Sequence, residues 1–140
     1  ISMAKTLVSG VDVWLNNPLP PFEASGTSGM KAILNAVVQI STIDGWVAEA
    51  VDMNIGKLFG YVNAEGSIGN EHDLHMASDS SKLYSALDEM MGLYYQSNKK
   101  GSVNIESAWI DLMINCIAAS AQFNTYRMLD QYKSLVWNLP

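Results

Sequence analysis

Basic residues are scarce in this chain. Its 140 residues carry 8 Lys and Arg against 14 Asp and Glu, a formal net charge of −6 at pH 7, and the cations are scattered rather than gathered into a run. Neutralising a phosphate backbone takes a basic patch, so nucleic acid is excluded as a partner. Long apolar runs are missing too: Asp111 and Asn115 interrupt the most apolar late stretch, short of the roughly eighteen residues a membrane span needs. The amino terminus has no charged-then-apolar leader. A soluble, cytoplasmic protein with no membrane contact is expected. Cys116 is the single cysteine, and with no second thiol for a disulfide it suits a reducing compartment. Among Ile114, Ile117 and Ala118 it reads as a small buried hydrophobe. The 49% of hydrophobic residues suffice for one core, whereas two cores would leave each half marginal. Residues 1–140 are therefore expected to be one domain or a piece of one, and the opening on Ile1 after no Met reads as a fragment or processed piece.

Apolar runs and turn formers alternate along the chain. Met3, Ala4, Leu7 and Val8 have helical spacing, and Gly10 ends that run. Val11 to Leu15 is a short apolar, β-branched strand stopped by Asn16-Asn17-Pro18. Pro18, Pro20 and Pro21 then enforce an extended connection. Helix resumes near Gly29, with Met30, Ile33, Leu34 and Val37 on one face and Ser25 or Thr27 as candidate caps. Val38 to Thr42 and Lys57 to Val62 are the next strands, and Asn63 to Asp79 is polar and the least structured stretch. Ser80 or Ser81 opens an amphipathic helix that Asn98-Lys99-Lys100-Gly101 ends, and helices over about Ile105 to Ser120 and Thr125 to Trp137 follow. This alternation predicts an α/β fold with a parallel sheet and ligands beyond the carboxyl ends of the strands. Three strands leave an open sheet edge, so a homo-oligomer is expected.

The chemistry is concentrated in Glu23-Ala24-Ser25-Gly26-Thr27-Ser28-Gly29-Met30-Lys31, between a strand and a helix. Glycines let a ligand approach the main chain, and free amides at a helix start attract an anion. The loop reads either as an anion site or as an ordinary capped turn. Lys31 sits in the first helical turn, where a cation opposes the dipole, so a purely structural reading would not favour lysine there. Near a bound anion, with Met30 and Leu34 as apolar neighbours, such an amine can serve as a nucleophile. The alternative is a solvated surface lysine.

Gly10 to Asn16, Glu23 to Ala32, Leu34-Asn35 and Ile43-Asp44-Gly45-Trp46 together resemble the active-site region of the bacterial-type α-glucan phosphorylases. The resemblance continues more loosely through Leu93-Tyr94-Tyr95, Trp109-Ile110, Gln122 to Thr125 and Arg127-Met128. It implies part of the carboxy-terminal Rossmann-like domain of the two-domain GT-B glycosyltransferase fold, with the amino-terminal domain lying outside these residues. It further implies that Lys31 bonds covalently to pyridoxal 5'-phosphate and that Thr27 and Ser28 hold the cofactor phosphate. Glu23, Ala24, Ser25 and Gly26 are implied to bind the glucosyl unit, which makes Lys31 and Glu23 the catalytic pair, and α-glucan, orthophosphate and glucose 1-phosphate the partners. Related glycosyltransferases that use nucleotide sugars carry a second glutamate eight residues after the first, a position held here by Lys31, so the resemblance favours phosphorolysis over synthesis. Three departures from the family wording stand out: Leu19 and Pro20 where arginines are common, the segment Val47 to Phe59, and Ala36 where glycine is common. A rival reading is a binding or assembly module that keeps the loop without performing chemistry.

His72 and His75, with Glu71 and Asp73 beside them, lack a third ligand at recognisable spacing, so no metal is expected. Asp44-Gly45 follows a strand at the ligand edge and fits either a role near the cofactor or a tight turn. Tyr94, Tyr95, Trp109 and Phe123 read as core rather than as a sugar platform.

Overall fold

The computed structural model describes residues 2–60, 72–99 and 101–137. Three apolar segments form a parallel sheet in the order β1 (Val13–Asn16), β2 (Val38–Thr42), β3 (Gly56–Phe59). Val13 pairs with Val38 and Asn16 with Ser41 on one side of β2, and Gln39 pairs with Gly56 and Thr42 with Phe59 on the other. Parallel neighbours need a crossover. The first contains α2 (Thr27–Ile33), and the second two short 3₁₀ turns, Gly45–Glu49 and Val51–Met53. The expected α/β class with parallel strands is therefore present. β1 begins at Val13 rather than Val11, next to the bond from the Val38 amide to the Asp12 carbonyl. The third strand runs from Gly56 to Phe59, and Val62 lies outside the described residues.

Around the sheet lie α1 (Ser2–Gly10), α3 (His72–Ser97), α4 (Ala108–Ser120) and α5 (Thr125–Gln131), the last continued by a π-helical turn, Tyr132–Val136. Every residue of β2 is buried, polar ones included. Their side-chain donors find backbone carbonyls: Gln39 Nε2 donates to Val37 at 2.8 Å, Ser41 Oγ to Thr42 at 2.9 Å, and Thr42 Oγ1 to Pro18, 24 residues earlier, at 2.8 Å. One core joins Ile33, Trp46, Val47, Ala50, Ile55, Cys116 and Ala119. A second joins Val38, Ile40, Phe59, Ala86, Met90, Trp109 and Leu112. Because α4 supplies Trp109 and Leu112 to one and Cys116 and Ala119 to the other, it spans both. Trp109 meets Tyr94 edge-on at 5.3 Å within the second core, as expected, whereas Tyr95 is exposed.

Several boundaries differ from expectation. α3 starts at His72, eight residues before Ser80, because the stretch 72–79 contains no glycine or proline to stop a helix propagating backward. After Ser97 the chain forms a small antiparallel ladder, β4 (Asn98–Lys99) with β5 (Ser102–Val103), where only a helix stop was expected; Gly101 takes a positive φ of 77° there. α2 begins at Thr27 and ends at Ile33, and Leu34, expected on its apolar face, is exposed. Its end is a Schellman closure: the Val37 amide donates to Ala32 and the Ala36 amide to Ile33, with Ala36 in the left-handed region at φ 61°. Glycine is the residue that conformation favours. Among the described residues no helix is long and apolar enough to cross a membrane, and no group of three or more metal-ligating side chains lies together. Glu71 and the side chains of His72, Asp73 and His75 lie outside the described set.

Ala36→Gly should stabilise the fold by about 0.5–1 kcal/mol, the relief of left-handed strain outweighing the greater freedom of unfolded glycine. Urea unfolding of the two proteins checks this, and an equal or lower midpoint for the glycine variant contradicts it. Cys116 gives a pH prediction. Its buried thiol donates to the Ile55 carbonyl at 3.2 Å, and burial pushes its pKa from 9.0 to about 12, against a weaker opposing bond from Gln39. The unfolded thiol loses its proton first, so this contribution is intact below pH 9.0 and declines as pH rises toward about 12. The difference in unfolding free energy between wild type and Cys116→Ala should shrink across that window, and a difference that is flat with pH sinks the assignment.

Candidate functional site

Because the strands run parallel, the segment after β1 and the turn after β2 leave the sheet at the same edge, and there they touch. The Asp44 carboxylate accepts from two backbone amides: Oδ2 from Glu23 at 2.8 Å and Oδ1 from Gly45 at 2.8 Å. Two residues on, the Trp46 amide donates to the Ser25 carbonyl at 2.9 Å. Asp44 is thus both the cap of the Gly45–Glu49 turn, the tight-turn reading of its sequence position, and a tie to the loop.

Glycine geometry makes the contact close. Gly26, at φ 84° and ψ 46°, turns the chain into α2, and a Cβ there would lie 3.1 Å from Trp46 Cδ1. Gly45 has φ +54°, and a Cβ on it would lie 2.6 Å from the Ser25 carbonyl oxygen. Gly29 is buried against the Trp46 indole, with room for no side chain: a Cβ would meet Nε1 at 2.9 Å and Gln39 Oε1 at 3.1 Å. Trp46 Nε1 itself is buried without a hydrogen-bond partner. Phe123 packs edge-on against the indole at 4.9 Å.

The expected site residues fall as follows. Glu23 is half-buried, its side chain folded over the two glycines, with Cγ 3.0 Å from the place a Gly45 Cβ would take and Cδ 3.5 Å from that at Gly26. Ala24, Ser25, Thr27 and Ser28 are exposed and Gly26 is half-buried. Neither Ser25 nor Thr27 caps α2: Gly26 holds the cap position, and no side chain bonds to the first amides. Lys31 is exposed, as is Leu34, so the apolar surroundings expected for the lysine are absent on that side. Its carbonyl accepts from Asn35 Nδ2 at 2.9 Å, and no ion pair reaches its amine among the described residues. Thr27 and Lys31, four apart, share a helix face.

Ser25 and Thr27 also open onto a cavity of about 530 Å³ between the loop and α5, lined by Met30, Glu49, Gln122, Phe123, Arg127 and Tyr132 among others. Glu23 and Lys31 do not line it. Phe123, expected as core, both packs on Trp46 and faces this cavity. Asn124 caps α5 by accepting from the Arg127 amide at 2.9 Å, and an Arg127 guanidinium nitrogen donates to the Gln122 carbonyl. Residue spacing in the sequence does not connect Asp44, Glu49 or Gln122 to the loop; the Asp-Gly pair after a strand was the one available signal.

The chain matches no established protein-family profile. It is 39% identical over 132 residues to the glycogen phosphorylase of Aquifex aeolicus, covering 93% of this chain and 18% of that protein. It is 40% identical over 131 residues to the maltodextrin phosphorylase of Thermococcus litoralis, covering 92% of this chain and 14% of that protein. The glycogen phosphorylase of Mycobacterium tuberculosis is 34% identical over 114 residues, 81% of this chain and 12% of that protein. The chain thus spans less than a fifth of the length of these curated relatives. Its match extends to both sides of the contact just described, the loop and the turn that holds it, and by that similarity the chain is a relative, over most of its own length, of one segment of the glycogen and maltodextrin phosphorylases.

Proposed function

We propose that this segment supplies the cofactor lysine and the sugar-binding loop of an α-glucan phosphorylase, in which orthophosphate cleaves a terminal α-1,4 bond of a glucan to give glucose 1-phosphate. The observation that carries the reading is the loop from Glu23 to Gly26, held at the carboxyl edge of a parallel sheet and leading straight into the helix that bears Lys31. Similarity to glycogen and maltodextrin phosphorylases over 81–93% of the chain supports it. The wider setting would be the carboxy-terminal Rossmann-like domain of a GT-B glycosyltransferase, with residues 1–140 a portion of that domain.

The residues fit pyridoxal 5'-phosphate. Gly26 turns left-handed ahead of α2, the first amides of that helix have no side-chain cap, and Lys31 stands exposed one turn further on. The Thr27 and Ser28 amides would hold the cofactor's phosphate and the Lys31 amine would bond to its carbonyl carbon. When bound, the cofactor supplies a phosphate group able to exchange protons with the substrate phosphate. The chain's own residues do the rest. The Glu23 carboxylate accepts hydrogen bonds from glucosyl hydroxyls, and the backbone of Ala24, Ser25 and Gly26 adds fixed dipoles that need no reorientation as charge develops on the sugar. Half-burial of Glu23 strengthens such a bond relative to one in open water. The protein is read as cytoplasmic, with no nucleic-acid or membrane partner.

Lys31 and Glu23 separate cofactor binding from turnover. In the full-length protein, Lys31→Ala and Lys31→Arg should both lose the cofactor's absorbance and the activity, since arginine keeps the charge but does not bond to the carbonyl carbon. Glu23→Gln should keep the cofactor and lose about 1–3 kcal/mol of transition-state binding. Cofactor content and phosphorolysis retained in Lys31→Ala would refute the central assignment. The 140 residues alone should bind at most and not turn over, as befits the binding-module reading of an isolated segment. They should also self-associate, because β1 and β3 each pair on one side only among the described residues. A monomeric mass by light scattering at high concentration contradicts that.

A further inference from the structure

Asp44 uses its two carboxylate oxygens for two tasks of different kinds. Oδ1 caps the turn it begins, accepting from the next amide, Gly45, while Asp44 itself is extended at φ −157° and ψ 161°. That bond occupies only one of the two carboxylate oxygens. Oδ2 does something a cap does not require: it accepts from the Glu23 amide, 21 residues earlier in the chain. Together with the bond from the Trp46 amide to the Ser25 carbonyl, it pins residues 23 and 25 to residues 44 and 46, matching the two segments at the same spacing. Between these ties a Gly45 Cβ would lie 2.6 Å from the Ser25 oxygen, so the loop lies directly on the turn.

We propose that Asp44 is a positioning residue for the sugar-binding loop, its carboxylate setting the backbone of Glu23 so that the Glu23 side chain and the amides after it face the glucosyl hydroxyls. The inference rests on the phosphorylase reading for its consequence, while the tie stands on geometry alone. Asp44 touches no substrate in this arrangement and acts through Glu23. An amide in its place would keep one acceptor oxygen and turn an N–H₂ group toward the other of the two N–H donors, and a serine, with a single shorter oxygen, would not serve both.

The test compares wild type, Asp44→Ser and Asp44→Asn in the intact cofactor-loaded protein, and follows amide hydrogen exchange at Glu23 and Gly45. Asp44→Ser should keep the wild-type melting temperature and cofactor content, yet exchange faster at Glu23 and raise the KM for glucose 1-phosphate about tenfold with a smaller change in kcat. Asp44→Asn should raise KM in the same direction. An unchanged KM in Asp44→Ser overturns the proposal. So does a KM that rises only in step with lost melting temperature and lost cofactor, since that is a cap's signature. If the wild-type protein does not turn over glucose 1-phosphate, the phosphorylase reading fails, and exchange at Glu23 then decides the tie: faster exchange in Asp44→Ser upholds it, equal exchange overturns it.

Discussion

Loop, helix and turn meet where there is no room for a Cβ, and the rest of the site depends on that constraint. Gly26 and Gly29 lie where the loop becomes α2 and Gly45 lies in the turn, and a Cβ on each would come within 2.6–3.1 Å of Trp46 or the Ser25 carbonyl, inside ordinary van der Waals contact. Two of them also take positive φ. Since the obstacle is either a buried ring or backbone, neither side can yield cheaply. Close approach lets two hydrogen bonds form between short segments that make no ladder of their own, and those bonds fix the loop without any residue of the loop entering the core.

The core's contribution is to hold that meeting place still. β2 is the only strand flanked on both sides within the described residues, and its five residues are buried throughout. The turn carrying Asp44 leaves directly from its carboxyl end. Below the turn, Trp46 and Val47 share a core with Ile33 of α2 and with Cys116 and Ala119 of α4, so the helix bearing Lys31 and the turn bearing Asp44 rest on the same side chains. A displacement of one requires repacking the other, because interiors at this density do not deform continuously.

Much of this was legible in the sequence where local chemistry decides it. β-branched runs bounded by turn formers located the first two strands, the run from Lys57 contained the third, and alternation with helices predicted parallel pairing. What was missed follows from interactions that sequence spacing does not encode. The start of α3 at His72 depended on the absence of a breaker rather than on an apolar face. The cap of α2 went to Gly26 and not to Ser25 or Thr27, since Ser25 is held by its carbonyl to Trp46 and so is oriented by the turn instead of by the helix. Ala36 is the reverse case: its resemblance-based mark as an unusual residue for its place has a physical counterpart in a left-handed φ of 61°. Leu34 matched the helical period and keeps helical backbone angles at the end of α2, yet is exposed.

The candidate site shows the same division more sharply. Nine contiguous residues from Glu23 to Lys31 contain every side chain that the resemblance assigns to cofactor or sugar, so a linear reading finds them all at once. Their conformation is another matter. Glycines give the loop freedom as well as approach, and a free loop would present Glu23 in many orientations, each binding event then bearing the cost of selecting one. Preorganisation has to come from outside the nine residues, and it comes from Asp44 and Trp46, whose contacts with Glu23 and Ser25 are made by backbone amides and one carboxylate rather than by matched side chains. Such contacts leave little trace in residue identity on the loop side, where any amide serves. They leave a trace on the turn side alone, as an acidic residue followed by a glycine that a second backbone must lie against.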